Sequence, residues 1–273
     1  MIGPLRDVQT DARQSPQGWT VKRERGVGTL TWLERTGGRL AWRDRLSLIL
    51  QGVQAKAIAK RRIRTGHKIR PREVDEILPP DSAITREALA ICQDESPPFL
   101  LNHCLRAYFW ARLLDEDSRA FDDEAVFTAL LLHDLGLCER HQVRAGRVEC
   151  FTVVGARAAT ELALRHGWSD RRASVAAEAI ALHLNISVGE KYGKEAQMVR
   201  AGSGGDVAGL GLDALSRDQV DAVVGRYPRL DIKSEFVQLL KADACTHPGC
   251  RISFLMTRLG FESLIRQTPV FAE

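Results

Sequence analysis

The sequence predicts an all-α protein. From Pro97 onward, apolar residues recur at helical spacing in run after run, each closed by a glycine or a charged turn. Strand-like alternation is scarce. The chain has 273 residues, 44% hydrophobic and 27% charged, which is ordinary for a globular protein with one sizeable core. No apolar run approaches the roughly 18 residues that a membrane span needs.

Residues 1–20 are polar and broken by Pro4, Pro16 and Gly18, which suggests loose attachment. In "VGTLTWLERTGGRLAW" a Gly-Gly pair marks a turn between two short elements. Leu40 to about Arg64 reads as a helix whose apolar stripe is Leu46, Ile49, Leu50 and Val53, with Arg and Lys filling much of the rest. Pro71, Pro79 and Pro80 punctuate the segment after that helix. "PPFLLNHCLRAYFWARLLDED" starts a helix after a proline pair. "FDDEAVFTALLLHDLG" opens with acidic residues suited to a helix N-terminus and stops at Gly136. "TVVGARAATELALRHG" runs to Gly167, and the next helix is capped by Ser169 or Asp170 and ends near Asn185. The stretch 201–211, "AGSGGDVAGLG", is too glycine-rich to be assigned to a helix. The chain thus divides into a basic, partly helical N-terminal extension, 1–90, and a helical core, 91–273.

Charge follows that division. The net charge is +4, but residues 1–80 hold 17 Lys/Arg against 8 Asp/Glu, and the remainder is mildly acidic. The cluster "KAIAKRRIRTGHKIR" invites a nucleic-acid reading, yet no interleaved aromatic residue offers a stacking platform. A solvated helix face beside the core is the preferred reading, and neither a nucleic-acid nor a membrane partner is expected. The N-terminus lacks an apolar signal-peptide core, so the cytoplasm is the expected location. Six cysteines without a CxxC pair are expected as buried free thiols, with a zinc site on Cys245 and Cys250 disfavoured. The apolar helices are compatible with a homodimer.

The polar residues that interrupt apolar helices carry the functional signal. In "ALLLHDLGLCER" the pair His133 and Asp134 sits at the end of an apolar run, where burial is costly unless something pairs with them. The helix carrying His103 and the one carrying His133 join through a short charged turn and should run antiparallel. His103 and His133 each lie 12–14 residues from that turn, so at 1.5 Å per residue both stand roughly 20 Å from it. His183, about 13 residues up a returning helix, is expected at the same end. Helical bundles build metal sites from such inward-facing side chains, and imidazole with carboxylate suits Zn, Fe or Mn. His67, His141, His166 and His247 are expected at the surface or at a helix end.

These residues resemble the HD-domain superfamily of metal-dependent phosphohydrolases and relatives, whose ligand pattern is a His, an adjacent His-Asp pair and a distant Asp. The resemblance implies an HD-domain helical bundle over the core and a divalent ion, Zn or Fe with Mn also compatible, held by His103, His133, Asp134 and Asp206. Within the superfamily, "NHCLRAYFWA", "LLLHDLGL", "FTVVGARAATELALRHG", "AIALH", "DVAGL" and "YPRL" are most similar to the cyanamide hydratase-like branch, in which His183 matches a histidine. That resemblance covers about 95–265 and implies a hydrolase or hydratase acting on a small organic substrate. His183 and Asp134 are then the catalytic candidates, with His183 shuttling protons or binding substrate or a second metal. HD nucleotidases often carry a Glu three residues after the paired Asp. Here that position is Leu137, with Glu139 beyond, which counts against nucleotidase chemistry. A phosphohydrolase using Arg140 and Arg144 is the runner-up, and a non-catalytic module with a nucleic-acid-binding N-terminus is the third reading. Arg106, one turn past His103, points either to an anionic substrate or to solvent.

Overall fold

The computed structural model describes residues 26–66, 69, 72–117, 119–142, 150–268 and 271. The first 25 residues, His67 and Arg144 lie outside them. Among the described residues there are thirteen α-helices and no β-strand, with one isolated bridge between Arg39 and Cys250. In chain order the helices are α1 Leu30–Thr36, α2 Trp42–Thr65, α3 Ala83–Glu95, α4 Pro98–Leu113, α5 Asp123–Leu132, α6 Glu139–Gln142 and α7 Phe151–Arg165. They continue as α8 Asp170–Leu182, α9 Lys194–Ala208, α10 Arg217–Arg226, α11 Ile232–Thr246, α12 Arg251–Arg258 and α13 Phe261–Arg266. No described helix is long and apolar enough to cross a membrane.

The helix starts depend on short polar caps. The Asp122 carboxylate accepts from the Ala125 amide at 3.1 Å and Ser169 accepts from Arg172 at 3.3 Å, each satisfying an otherwise orphaned N–H of the first turn. Ser82 and Thr85 form a reciprocal capping box at the start of α3. Every residue of α5 from Ala125 to Leu132 is buried, so it is the central helix, with α4, α7, α8, α9 and α3 around it. His133 and Asp134 come where this apolar helix runs out.

Three expectations are corrected here. Residues 201–208 are helical, as the second half of α9. The side of α2 that meets the body is Leu48, fully buried, whereas Leu46, Ile49, Leu50 and Val53 are exposed. The core also starts before residue 91, because Val74, Ile77, Ile84 and Ala88 belong to the main cluster. A smaller cluster of Trp32, Leu33, Leu40 and Leu48 closes on Ala181 of α8. The expected thiols are free, with Cys245 exposed and the other five buried.

Candidate metal centre

His103 comes from α4, His133 caps the C-terminal end of α5, Asp134 is next in the chain, and His183 caps the C-terminal end of α8. All four are buried. The emergence point of the His-Asp pair is fixed by α7, whose backbone lies directly against it. A Cβ built on Gly155 would stand 2.4 Å from the Leu132 carbonyl oxygen and 3.0 Å from that of His133. Only glycine permits this approach.

The imidazoles converge on Asp134. His103 Nε2 and His133 Nε2 lie 3.1 Å apart. Asp134 Oδ2 is 3.4 Å from the first and 3.3 Å from the second, and Oδ1 is 3.6 Å from His183 Nε2. The ligand atoms of His103, His133 and Asp134 all lie within 4.8 Å of one another, the only such group of three or more among the described residues.

The far side of each ring fixes its tautomer. His133 Nδ1 donates to the Leu130 carbonyl at 2.7 Å and His183 Nδ1 to the Ile180 carbonyl at 2.7 Å. His103 Nδ1 donates to Asp206 Oδ2 at 2.8 Å. In the neutral rings all three Nε2 atoms are therefore lone-pair acceptors facing one carboxylate. Neither oxygen of Asp134 has a hydrogen-bond partner, although both are buried. Two facing imidazole lone pairs beside a bare carboxylate repel unless a cation or protons lie among them. The donor set of imidazole nitrogen and carboxylate oxygen fits a divalent ion such as Zn, Fe or Mn.

Electrostatics agree with that arrangement. Burial pushes the His183 imidazole down to about 3, with the neighbouring His133 adding to the shift. Burial also lowers His133. For His103 burial works downward, but Asp134 and Asp206 outweigh it and the net direction is up. Burial works upward on Asp134, yet the imidazoles, His133 first, hold it down to about 2. A buried carboxylate held ionised by surrounding imidazoles suits a cation.

Asp206, expected beside His133 and Asp134, is placed differently. Its carboxylate sits behind His103, on the ring nitrogen remote from the cluster. It accepts Arg106 Nε at 2.7 Å and Trp110 Nε1 at 2.8 Å on Oδ1, and Arg106 Nη2 at 2.8 Å on Oδ2 beside His103. Burial would raise Asp206, but the Arg106 guanidinium holds it well below the carboxylate range. Arg106 in turn meets neither substrate nor solvent. It is fully buried, and Nη1 donates to the Tyr227 and Pro228 carbonyls at 2.8 and 2.9 Å. His103, Arg106 and Trp110 stand at i, i+3 and i+7 on one face of α4, a spacing that signals a shared partner.

The remaining described histidines and Arg140 have partners of their own. His166 pairs with Glu87 at 2.5 Å and His141 with Glu95, both pairs partly exposed. His247 was expected at the surface but is buried, its Nδ1 held 2.9 Å from Asp243 Oδ1. Arg140 is an exposed residue 3.4 Å from Glu95, remote in role from the cluster.

The cluster opens onto a pocket of about 120 Å³. Its wall is mostly apolar, lined by Phe151, Ile186 and Val207 and by Phe236, Leu240 and Phe261 from the C-terminal helices. Arg200, Ser203 and Asn185 are its other polar lining residues. Sequence reading missed Arg200, for which the only signal was a lone cation in an otherwise uncharged stretch of α9.

Residues 100–224 match the HD domain family, a span that contains His103, His133, Asp134, His183 and Asp206. No curated protein matches the chain. The HD match supports the HD-domain superfamily and, with the His-His-Asp cluster, metal-dependent hydrolase chemistry.

Proposed function

We propose that the chain is a metal-dependent hydrolase or hydratase acting on a small organic molecule of the cyanamide or nitrile kind, as in the cyanamide hydratase-like branch. The bare Asp134 carboxylate, buried among three imidazole Nε2 atoms, is the observation that carries this reading. His103, His133 and Asp134 would hold the ion, with His183 at the edge of the group and Asp206 orienting His103 from behind. A divalent ion held there supplies Lewis acidity and brings the pKa of water towards neutrality.

The remaining chemistry falls to the chain. Neutral His183, its Nε2 lone pair facing the cluster, accepts the proton released as water oxygen bonds to the electrophilic carbon. In hydration of a C≡N group that proton then passes to the substrate nitrogen, so that water adds across the bond and no group leaves. Asp206 holds the His103 ring in one orientation through Nδ1, and the Arg106 pair keeps Asp206 ionised for that task. The apolar wall excludes bulk water from the reacting carbon.

Pocket size favours a small substrate over a nucleotide. A cavity of about 150 Å³ holds benzene, so roughly 120 Å³ admits about five to six non-hydrogen atoms. A phosphoryl group wants several cations around it, and among the described lining residues Arg200 is the only permanent one.

The test is elemental analysis of the purified full-length protein, paired with a turnover screen of cyanamide, small nitriles and nucleotides. Stoichiometric divalent metal, lost in His133→Ala while the helical circular-dichroism signal persists, is the expected result. Full metal occupancy in that variant, or nucleotides turned over in preference to the small molecules, would overturn the reading.

A further inference from the structure

The pocket holds one charged group that the chemistry above does not use. Arg200 lies on α9, six positions before Asp206 and about 9 Å from it along the helix axis. Its Nε donates to the Asn185 carbonyl at 3.3 Å and its Nη2 to the Ile186 carbonyl, both in the turn after His183. Those two bonds hold the guanidinium in place but neutralise nothing. No described carboxylate pairs with it, and burial alone, with no acid to oppose it, pulls its pKa down to about 10.

The free edge of the guanidinium is Nη1. It stands beside Gly204, 3.5 Å from where a Cβ on that residue would be, and both residues line the pocket that contains His103, His133, Asp134 and His183. A half-buried cation with no acid of its own is favoured by an anion that completes it. Two buried cations near it have an acid, Arg106 with Asp206 and Lys194 with Asp115 at 3.1 Å, and the buried Arg251 is held by Asn185 and Thr152 instead. Arg200 has no such acid among the described residues, and unlike those three it lines the pocket.

We propose that Arg200 binds a carboxylate on the substrate, so that the molecule turned over is a small acid with an apolar body, anchored at Nη1 and reaching towards Asp134 and the three histidines. This rests on reading that cluster as the hydrolytic centre. A carboxylate fits better than a phosphate because the lining offers a single guanidinium, matched to one negative charge, whose planar fork suits two coplanar oxygens. The apolar wall from Phe236, Leu240 and Phe261 faces the body of the molecule, and the volume limits it to about five to six non-hydrogen atoms.

Butyrate, with six non-hydrogen atoms, is the probe, with butyramide as its neutral counterpart and inorganic phosphate as the alternative anion. Binding is measured by calorimetry on the full-length protein as purified and again after chelation. In both states butyrate should bind more tightly than butyramide and phosphate. It should also shift the ¹⁵N guanidinium resonance of Arg200 in the wild-type protein. Arg200→Met should weaken butyrate roughly 10- to 100-fold, as expected for a lost charge-assisted bond. Arg200→Lys keeps the charge and should retain part of the affinity, which guards against a Met variant that fails to fold. Butyrate affinity unchanged in either folded variant, phosphate binding more tightly than butyrate, or an unmoved guanidinium resonance overturns the proposal. Arg200-dependent butyrate binding in a protein that carries no metal as purified and takes up none when it is supplied would sink the hydrolase reading and leave the carboxylate site standing. A metal-loaded protein whose butyrate binding ignores Arg200 would do the reverse.

Discussion

Substituting Gly202 by alanine tests whether the α4–α9 contact positions the site. A Cβ at 202 would stand 2.1 Å from the Ala107 carbonyl oxygen and 3.0 Å from the Ala111 side chain. Carbon and carbonyl oxygen ordinarily stay about 3.3–3.6 Å apart, so the two helices must separate locally by about 1.2 Å. Carried one turn along α9, that shift would stretch the 2.8 Å bond between His103 and Asp206 to about 4 Å, outside hydrogen-bonding range. Overpacking costs about 1–3 kcal/mol, and a strained buried Arg106–Asp206 pair adds to it, against about 1 kcal/mol regained by replacing glycine in a helix. The net expectation is a loss of about 2 kcal/mol or more, a fall in Tm of about 4–8 °C for a chain of this size. Gly205, three residues on, is the control. Its nearest contacts would be 3.4 Å to Leu212 and 3.5 Å to Trp110, ordinary packing distances, so Gly205→Ala should hold or raise Tm. Thermal unfolding of both variants decides the matter, and a Gly202→Ala protein that melts at or above wild type refutes the reasoning.

Other expectations concern the polar groups. Asp206→Asn leaves the fully buried Arg106 without its counter-charge and should cost about 3–5 kcal/mol in urea unfolding; a loss under 1 kcal/mol would mean that Arg106 is neutralised elsewhere. His183→Ala should retain bound metal and lose turnover, whereas loss of the metal makes His183 a ligand and removes it as the proton acceptor. Metal-free protein should lose stability on acidification. The His183 value of about 3 lies below its ordinary 6.5, so the unfolded chain takes up the proton first. The contribution is whole above about pH 6.5 and disappears as pH falls towards 3, at about 1.4 kcal/mol per pH unit for that one group. Urea midpoints at pH 7, 6 and 5 read this slope, and a flat profile would show that His183 titrates as it does in the unfolded chain.

What was legible in the sequence was what local rules determine. Asp122 and Ser169 cap their helices because their carboxylate and hydroxyl reach the first-turn amides whatever the tertiary surroundings. His103 and His133 meet because equal numbers of residues separate them from one turn, a distance that the 1.5 Å rise fixes. What failed depended on the neighbours. Glycines 202, 204 and 205 argue against a helix on propensity, yet the helix survives them, and at 202 it needs one, because the Ala107 carbonyl occupies the space of a side chain. The α2 stripe was legible but its direction was not, since Leu48 on another face meets the body. His247 looked like a surface residue beside Pro248 until Asp243, one helical turn earlier, was found facing it in the interior.

Asp134 and Asp206 show how the fold separates holding a charge from leaving one available. Both carboxylates are buried and both have their pKa lowered. Asp206 receives four donors, one of them from His103, and has nothing left to offer a ligand. Asp134 receives none, and its neighbours are three imidazoles whose Nδ1 atoms are turned the other way, to Leu130, Ile180 and Asp206. A core that merely tolerated these groups would have paired the Asp134 oxygens with the nearest N–H, at little cost in side-chain rotation. Instead every available N–H in the cluster is committed outward, and the one carboxylate left bare is the one adjoining the pocket. In the proposed centre the saturated acid therefore orients His103, and the bare one is left for the cation.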